Sequence, residues 1–153
     1  MAAFSEIIAE NFFSEVELTW ETTGPKHIRA QFPIDQISVS VFFEERETPG
    51  TWYVSFEVRA EKPEDTLYLS WHIFNGVFQA AEEFASVRQP DSVILAAKRD
   101  QLASIYETYL RREAARLQDI GYVLISVDKV DSYTEFVLRR FKPSHWKDLE
   151  GGL

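Results

Sequence analysis

Residues 90–127, with the sequence PDSVILAAKRDQLASIYETYLRREAARLQDIGYVLISV, decide the fold. The short apolar run at 93–97 is typical of a strand covered on both faces. Apolar side chains then recur at helical spacing, with Asp100 as the expected N-cap and Gly121 as the C-terminal stop. A second strand follows at 122–127. Because a crossover of this length returns the chain to its own sheet in the same direction, the stretch predicts a right-handed β-α-β unit.

Four strand candidates precede this unit, and three of them show clear period-two alternation. They lie at residues 16–21, 27–32, 37–43 and 52–59. Alternating apolar and polar side chains predict a sheet with one buried and one solvated face. Turn residues such as Gly24 and Gly50 separate the runs, so the short connections predict an antiparallel meander.

The remaining elements complete an α+β fold. Helical spacing predicts a short helix at 5–13 and a longer one at 71–87, and a hairpin pairs 122–127 with 134–141. Residues 142–153 are expected to form a peripheral tail. The predicted fold is a single domain, 1–153, with a mixed and mostly antiparallel sheet of six to seven strands and about three helices.

Composition and charge narrow the classes of function. The 153 residues include no cysteine, which excludes disulfides, thiolate metal sites and a cysteine nucleophile, and a cytoplasmic location is expected. The net charge is -9; residues 1–65 hold 13 acidic and 5 basic side chains. Duplex binding needs clustered lysine and arginine, so direct duplex nucleic-acid binding is not expected. No apolar run approaches the roughly 20 residues that span a bilayer, so no membrane association is expected.

The order of helix, four strands, helix, strand, helix and two strands resembles the GNAT fold of N-acyltransferases. The resemblance covers about residues 14–141. It rests on the strand at 93–97, on the Ile105-Tyr106-Glu107 element of the following helix and on the Gly121-Tyr122 junction. A second pattern, from Asn75-Gly76-Val77-Phe78 to Tyr106 and Gly121-Tyr122, is similar to small uncharacterised proteins of tailed bacteriophages.

The GNAT resemblance implies a place for acetyl-CoA. Members hold its pyrophosphate on a loop of the type Arg/Gln-x-x-Gly-x-Gly/Ala that opens a helix, where bare amides and the helix dipole favour an anion. Asn75 and Gly76 are the candidate cofactor-binding residues here. Ile73 stands where the pattern has Arg or Gln, and acidic residues such as Glu61 lie on the approach and would repel a pyrophosphate. We therefore predict that no cofactor is bound.

Catalytic candidates also come from the resemblance. It implies that Tyr106 protonates the leaving thiolate, whereas helical spacing places Tyr106 in an apolar stripe with Leu102 and Tyr109. Glu57 is the candidate general base acting through water, with Glu44 and Glu45 as alternatives, although solvated strand faces often carry such residues. No metal site is predicted, because the three histidines are scattered without ligand spacing.

Basic residues occur in two groups, at 111–116 and 139–142. They either meet as one patch for an anionic ligand or pair locally with Glu107 and Glu113 at helical spacing.

Three functions are consistent with these patterns. The leading hypothesis is a non-catalytic GNAT-like binding protein, encoded by a phage and acting on a host or viral macromolecule, with a protein partner. The first alternative is an acetyl-CoA-dependent N-acyltransferase with an atypical cofactor loop. The second is an acidic inhibitor of a host defence or nucleic-acid-binding protein.

Overall fold

The described residues form an α+β fold of ten elements, which confirms the predicted class. The computed structural model describes residues 16–61 and 70–141, so the helix predicted at 5–13 and the tail at 142–153 lie outside the described residues. The elements are β1 Thr19–Gly24, β2 His27–Ile34, β3 Ile37–Glu45, β4 Thr51–Arg59, α1 Ser70–Arg88, β5 Ser92–Ala97, α2 Asp100–Arg112, α3 Ala114–Asp119, β6 Tyr122–Val130 and β7 Tyr133–Arg140.

The seven strands form one sheet in the order β1-β2-β3-β4-β5-β7-β6. β7 pairs antiparallel with both β5 and β6, so β5 and β6 run in the same direction with β7 between them. The predicted β-α-β unit and the predicted closing hairpin are therefore both present. The unit differs from the simplest form in one respect, because the hairpin folds β7 into the space between its two parallel strands.

The chain groups into two compact units, Met1–Glu44 with Val54–Phe84 and Glu45–Tyr53 with Ala85–Leu153. In the first unit, β2 pairs antiparallel with β1 and β3. Burial alternates along β2 and β3, as their period-two pattern predicts. Phe43 of β3 stacks on Phe84 of α1 with ring centroids 4.3 Å apart.

The first strand begins and ends three residues later than predicted. Alternation suggested a start at residue 16, whereas β1 begins at Thr19. The reason lies in Gln79 of α1, which receives the backbone N–H of Val16 on Oε1 at 2.8 Å and donates from Nε2 to the Val16 carbonyl at 3.0 Å. Both backbone groups of Val16 that could join a strand ladder are thus occupied by one side chain.

In the second unit, α2 contacts β5 and β7, and α3 contacts β6. β5 is buried along nearly its whole length, as predicted. Two predictions for the helix are wrong. The N-cap is Arg99, not Asp100, and no side chain caps the helix. The predicted single helix is also broken at Glu113, whose φ of -99° and ψ of 16° leave the helical region and separate α2 from α3.

Gly121 ends the helical segment with a φ of 100°. This left-handed conformation favours glycine because a Cβ would clash with the backbone, and it turns the chain directly into β6 as the sequence predicted.

Candidate functional site

Asn75 and Gly76, the candidate cofactor-binding pair, lie inside α1 and not in a loop before it. Counting from Ser70, they are the sixth and seventh residues of the helix. Only the first four N–H groups of an α-helix lack a partner within the helix. The amides of Asn75 and Gly76 therefore belong to the hydrogen-bond ladder of α1 and do not form an anion cradle.

Gly76 has a steric role in this position. A Cβ built on Gly76 would overlap the aromatic ring of Phe32 in β2. Phe32 is fully buried, so its ring cannot move out toward solvent. Because Gly76 has no side chain, the backbone of α1 can lie directly against the ring of Phe32.

Tyr106, the candidate acid, lies in α2 and is 0% exposed. Its ring meets the ring of Phe136 in β7 edge-on, with centroids 6.0 Å apart and an interplanar angle of 89°. This T-shaped arrangement is one of the two preferred geometries of packed aromatic pairs. Burial raises the pKa of Tyr106 far above its usual value, because the charged phenolate is poorly solvated. The geometry favours a packing role.

Glu57, the candidate base, belongs to β4 and lies in the first unit, whereas Tyr106 lies in the second. Its exposed carboxylate is 3.6 Å from Nε of Arg59, two residues along the same strand. The alternative base Glu45 accepts the backbone N–H of Gly50 on Oε2 at 3.0 Å. Glu45 therefore stabilises the turn between β3 and β4, and Glu57 lies on a solvated strand face.

The sequence did not indicate a buried hydrogen bond that lies just before β5. The hydroxyl of Tyr122 donates to the carbonyl of Pro90 at 2.6 Å. Burial raises the pKa of Tyr122 to about 12, with Asp91 adding to the rise and Arg140 opposing it. Arg140 also donates to the Gln89 carbonyl at 3.2 Å and to its Oε1 at 2.7 Å. The sequence singled out the Gly121-Tyr122 junction only as part of the GNAT resemblance, and the partner of the Tyr122 hydroxyl, Pro90, lies 32 residues earlier.

Two of the helical arginines, Arg111 and Arg116, pair locally. Arg111 lies 2.6 Å from Glu107, one turn earlier, and Arg116 lies 4.0 Å from Glu113. Local pairing, the second of the two interpretations of this basic group, is therefore confirmed for these two residues.

Two further searches concern ligands and membranes. Within residues 16–61 and 70–141, no group of three or more His, Cys, Asp or Glu side chains could hold a metal ion. None of the helices described combines the length and the apolar character needed to cross a membrane.

Comparison with known proteins adds no family. No model of a known protein family matches this chain, and no curated protein matches it. A proposal about function therefore rests on the sequence patterns and on the geometry of the described residues.

Proposed function

We propose that the chain is a non-catalytic GNAT-like binding protein, encoded by a phage, that acts on a host or viral macromolecule in the host cytoplasm through contact with a protein. The order of four strands, helix, strand, helical segment and two strands supports the GNAT-like part of the proposal. The phage part of the proposal rests on residues 75–78, 106 and 121–122, whose pattern is similar to that of small uncharacterised proteins of tailed bacteriophages.

The placement of Gly76 carries the non-catalytic part. Gly76 is the glycine that a phosphate-binding loop would use, and it instead packs against Phe32 in the interior of α1. A pyrophosphate is held by amides that point outward at a helix start. Amides that are already bonded within a helix cannot serve this purpose.

Tyr106 supports the same proposal. A general acid must reach the atom that it protonates, at about 3 Å or through one water. A fully buried ring packed on Phe136 does not offer its proton to a substrate in this conformation. Its raised pKa also makes Tyr106 a weaker acid.

Calorimetric titration tests the proposal directly. Acetyl-CoA and CoA are titrated separately into the purified 153-residue chain. We expect no binding in the micromolar range with either ligand. Micromolar affinity for acetyl-CoA or for CoA would overturn the proposal and would favour the acyltransferase alternative.

A pair of matched variants tests the alternative at the level of activity. Tyr106→Phe and Tyr109→Phe each remove one hydroxyl from a buried tyrosine of α2. An acyltransferase that uses Tyr106 as its acid would lose turnover in the first variant and keep it in the second. Under our proposal, no acetyl transfer to amines is detected in the wild type or in either variant.

A further inference from the structure

Gln89, which connects the end of α1 to β5, has an uncommon backbone conformation. Its φ is 51°, in the left-handed region that glycine adopts easily and other residues adopt rarely. Its N–H donates to the carbonyl of Ala85 at 3.0 Å and closes the last turn of α1. The left-handed residue that follows a helix is usually glycine, so the side chain of Gln89 makes this helix end costly.

The residue after Gln89 adds to this cost. Pro90 follows directly, and a proline ring disfavours helical backbone angles in the residue before it and favours extended ones. Gln89 therefore has two competing conformations. The local sequence favours the extended one, whereas the structure contains the left-handed one. Contacts from elsewhere in the chain have to hold it there.

Arg140, the last residue of β7, supplies such contacts. Its Nη1 donates to the Gln89 carbonyl at 3.2 Å, and its Nη2 donates to Oε1 of the same residue at 2.7 Å. The donors of a guanidinium group lie in one rigid plane. A change of Gln89 to extended backbone angles would rotate its carbonyl away from this plane, so the two bonds require the left-handed conformation.

Residues 90–92 are also held from outside. The bonds are from the Tyr122 hydroxyl to the Pro90 carbonyl at 2.6 Å, from the Arg140 N–H to the Asp91 carbonyl at 2.9 Å and from the Ser92 N–H to the Gly50 carbonyl at 3.0 Å. An extended Gln89 would redirect the chain that follows it. These three bonds and the two from the Arg140 guanidinium therefore form and break together.

We infer that Gln89 and Arg140 form a conformational latch. In the closed state, Arg140 holds Gln89 in the left-handed conformation, and residues 90–92 keep their bonds. In the open state, Gln89 is extended and those bonds are lost. Both bonds between Arg140 and Gln89 lie at the surface, so the latch opens without a change in the core. The latch couples the end of α1 to the end of β7.

Two substitutions at Gln89 separate a latch from ordinary stabilisation. Gln89→Ala and Gln89→Gly both remove Oε1 and its bond to Arg140. Alanine keeps the Cβ that makes the left-handed conformation costly, whereas glycine adopts this conformation freely. Arg140→Met removes both bonds of the guanidinium. Its matched control is Arg139→Met, at the exposed neighbour in the same strand.

Native-state hydrogen exchange at the Ser92 amide measures opening of the latch, and the amides of β2 are the reference. A net hydrogen bond changes an equilibrium constant roughly two- to tenfold, so we expect exchange to be faster by about that factor in Gln89→Ala and by more in Arg140→Met. Gln89→Gly and Arg139→Met should exchange at close to the wild-type rate. Adding Gln89→Gly to Arg140→Met should slow the exchange again.

Three results would overturn the latch. Equal exchange in Gln89→Ala and Gln89→Gly would show that the left-handed conformation is not held against a preference. Unchanged exchange in Arg140→Met would remove Arg140 from the device. Equal acceleration at Ser92 and in β2 would show global destabilisation and no local opening. Thermal melts establish that each variant is folded, and the pair at Gln89 decides the test if Arg140→Met does not fold.

Discussion

Helices α1 and α2 each pack on strands of their own unit, and they do so by opposite means. α1 approaches β2 because Gly76 has no side chain where the ring of Phe32 lies. α2 instead fills its space with a large residue, Tyr106, whose ring meets Phe136 edge-on. Both residues suggested chemistry in the sequence, and both serve packing in the structure. Gly76 is therefore intolerant of added volume, and Tyr106 is intolerant of lost volume.

Truncating Tyr106 should have the largest effect. Tyr106→Ala removes a fully buried ring and leaves a cavity, so we expect the free energy of unfolding to fall by about 4 kcal/mol. Urea denaturation measures the loss. The control is Tyr133→Ala, at a tyrosine that is 40% exposed, where we expect a loss below about 1 kcal/mol. Comparable losses at the two tyrosines would contradict the packing role of Tyr106.

Enlarging Gly76 should have the next largest effect. Gly76→Ala gains helix propensity, but the new methyl group overlaps the Phe32 ring, so we expect a net loss of about 2 kcal/mol. The exposed Ser86 of the same helix provides the control, because Ser86→Ala has no such overlap and should be neutral or slightly stabilising.

A second substitution in the opposing strand sharpens this test. Phe32→Leu replaces the ring that Gly76→Ala meets with a shorter side chain, so the double variant should be more stable than the sum of the two single losses implies. Thermal melts of the four proteins in the cycle give the coupling. Strict additivity would show that the cost at Gly76 arises elsewhere than at Phe32.

The sequence predicts much of this comparison but not its outcome. Helical periodicity placed Tyr106 in the apolar stripe of α2, and burial confirms that position. For Gly76, the resemblance implied that a pyrophosphate approaches the backbone. What approaches is Phe32, 44 positions earlier in the chain, and no local pattern reports so distant a contact. Only the structure shows that Gly76 contacts the ring of Phe32 and not a ligand.

The error in the position of β1 has the same cause. Val16 fits the alternation of β1, but Gln79 binds its backbone from 63 residues away. Glu113 interrupts a helix whose apolar stripe continues from Tyr109 to Leu117, so periodicity gives no sign of the break. Local propensity and period describe an element well; they do not show where a distant partner ends it.

Tyr122 differs from Gly76 and Tyr106 because its hydroxyl makes a buried hydrogen bond, to the carbonyl of Pro90. Its pKa rises from 10.0 to about 12 on folding, so the folded chain keeps a proton that the unfolded chain loses. This stabilisation is complete below pH 10 and is lost as the pH rises through about 12. We expect the stability advantage of the wild type over Tyr122→Phe to shrink by about 1 kcal/mol between about pH 9 and about pH 11.

Urea denaturation at several pH values measures this change. The same pH series with Tyr133→Phe, at an exposed tyrosine, is the matched control. An advantage at Tyr122 that grows with pH would show that folding does not protect its proton.

The smallest effect should come from Glu107, which follows Tyr106 directly and faces away from the core. Its carboxylate pairs with Arg111 at 2.6 Å across one turn of α2, and both side chains are largely solvated. Such pairs contribute about 0.3 kcal/mol, so Glu107→Gln should lower the free energy of unfolding by about that amount. Because salt screens exposed charges, the difference should vanish at about 1 M NaCl.

Arg111→Gln is the matched control, and the double variant should lose no more than either single variant. A loss above about 1 kcal/mol that survives high salt would mean that Glu107 has a role beyond this pair. Glu107 would then contribute more than a solvated charge beside the buried ring of Tyr106. The contacts of α2 could no longer be described as purely steric, as those of α1 are.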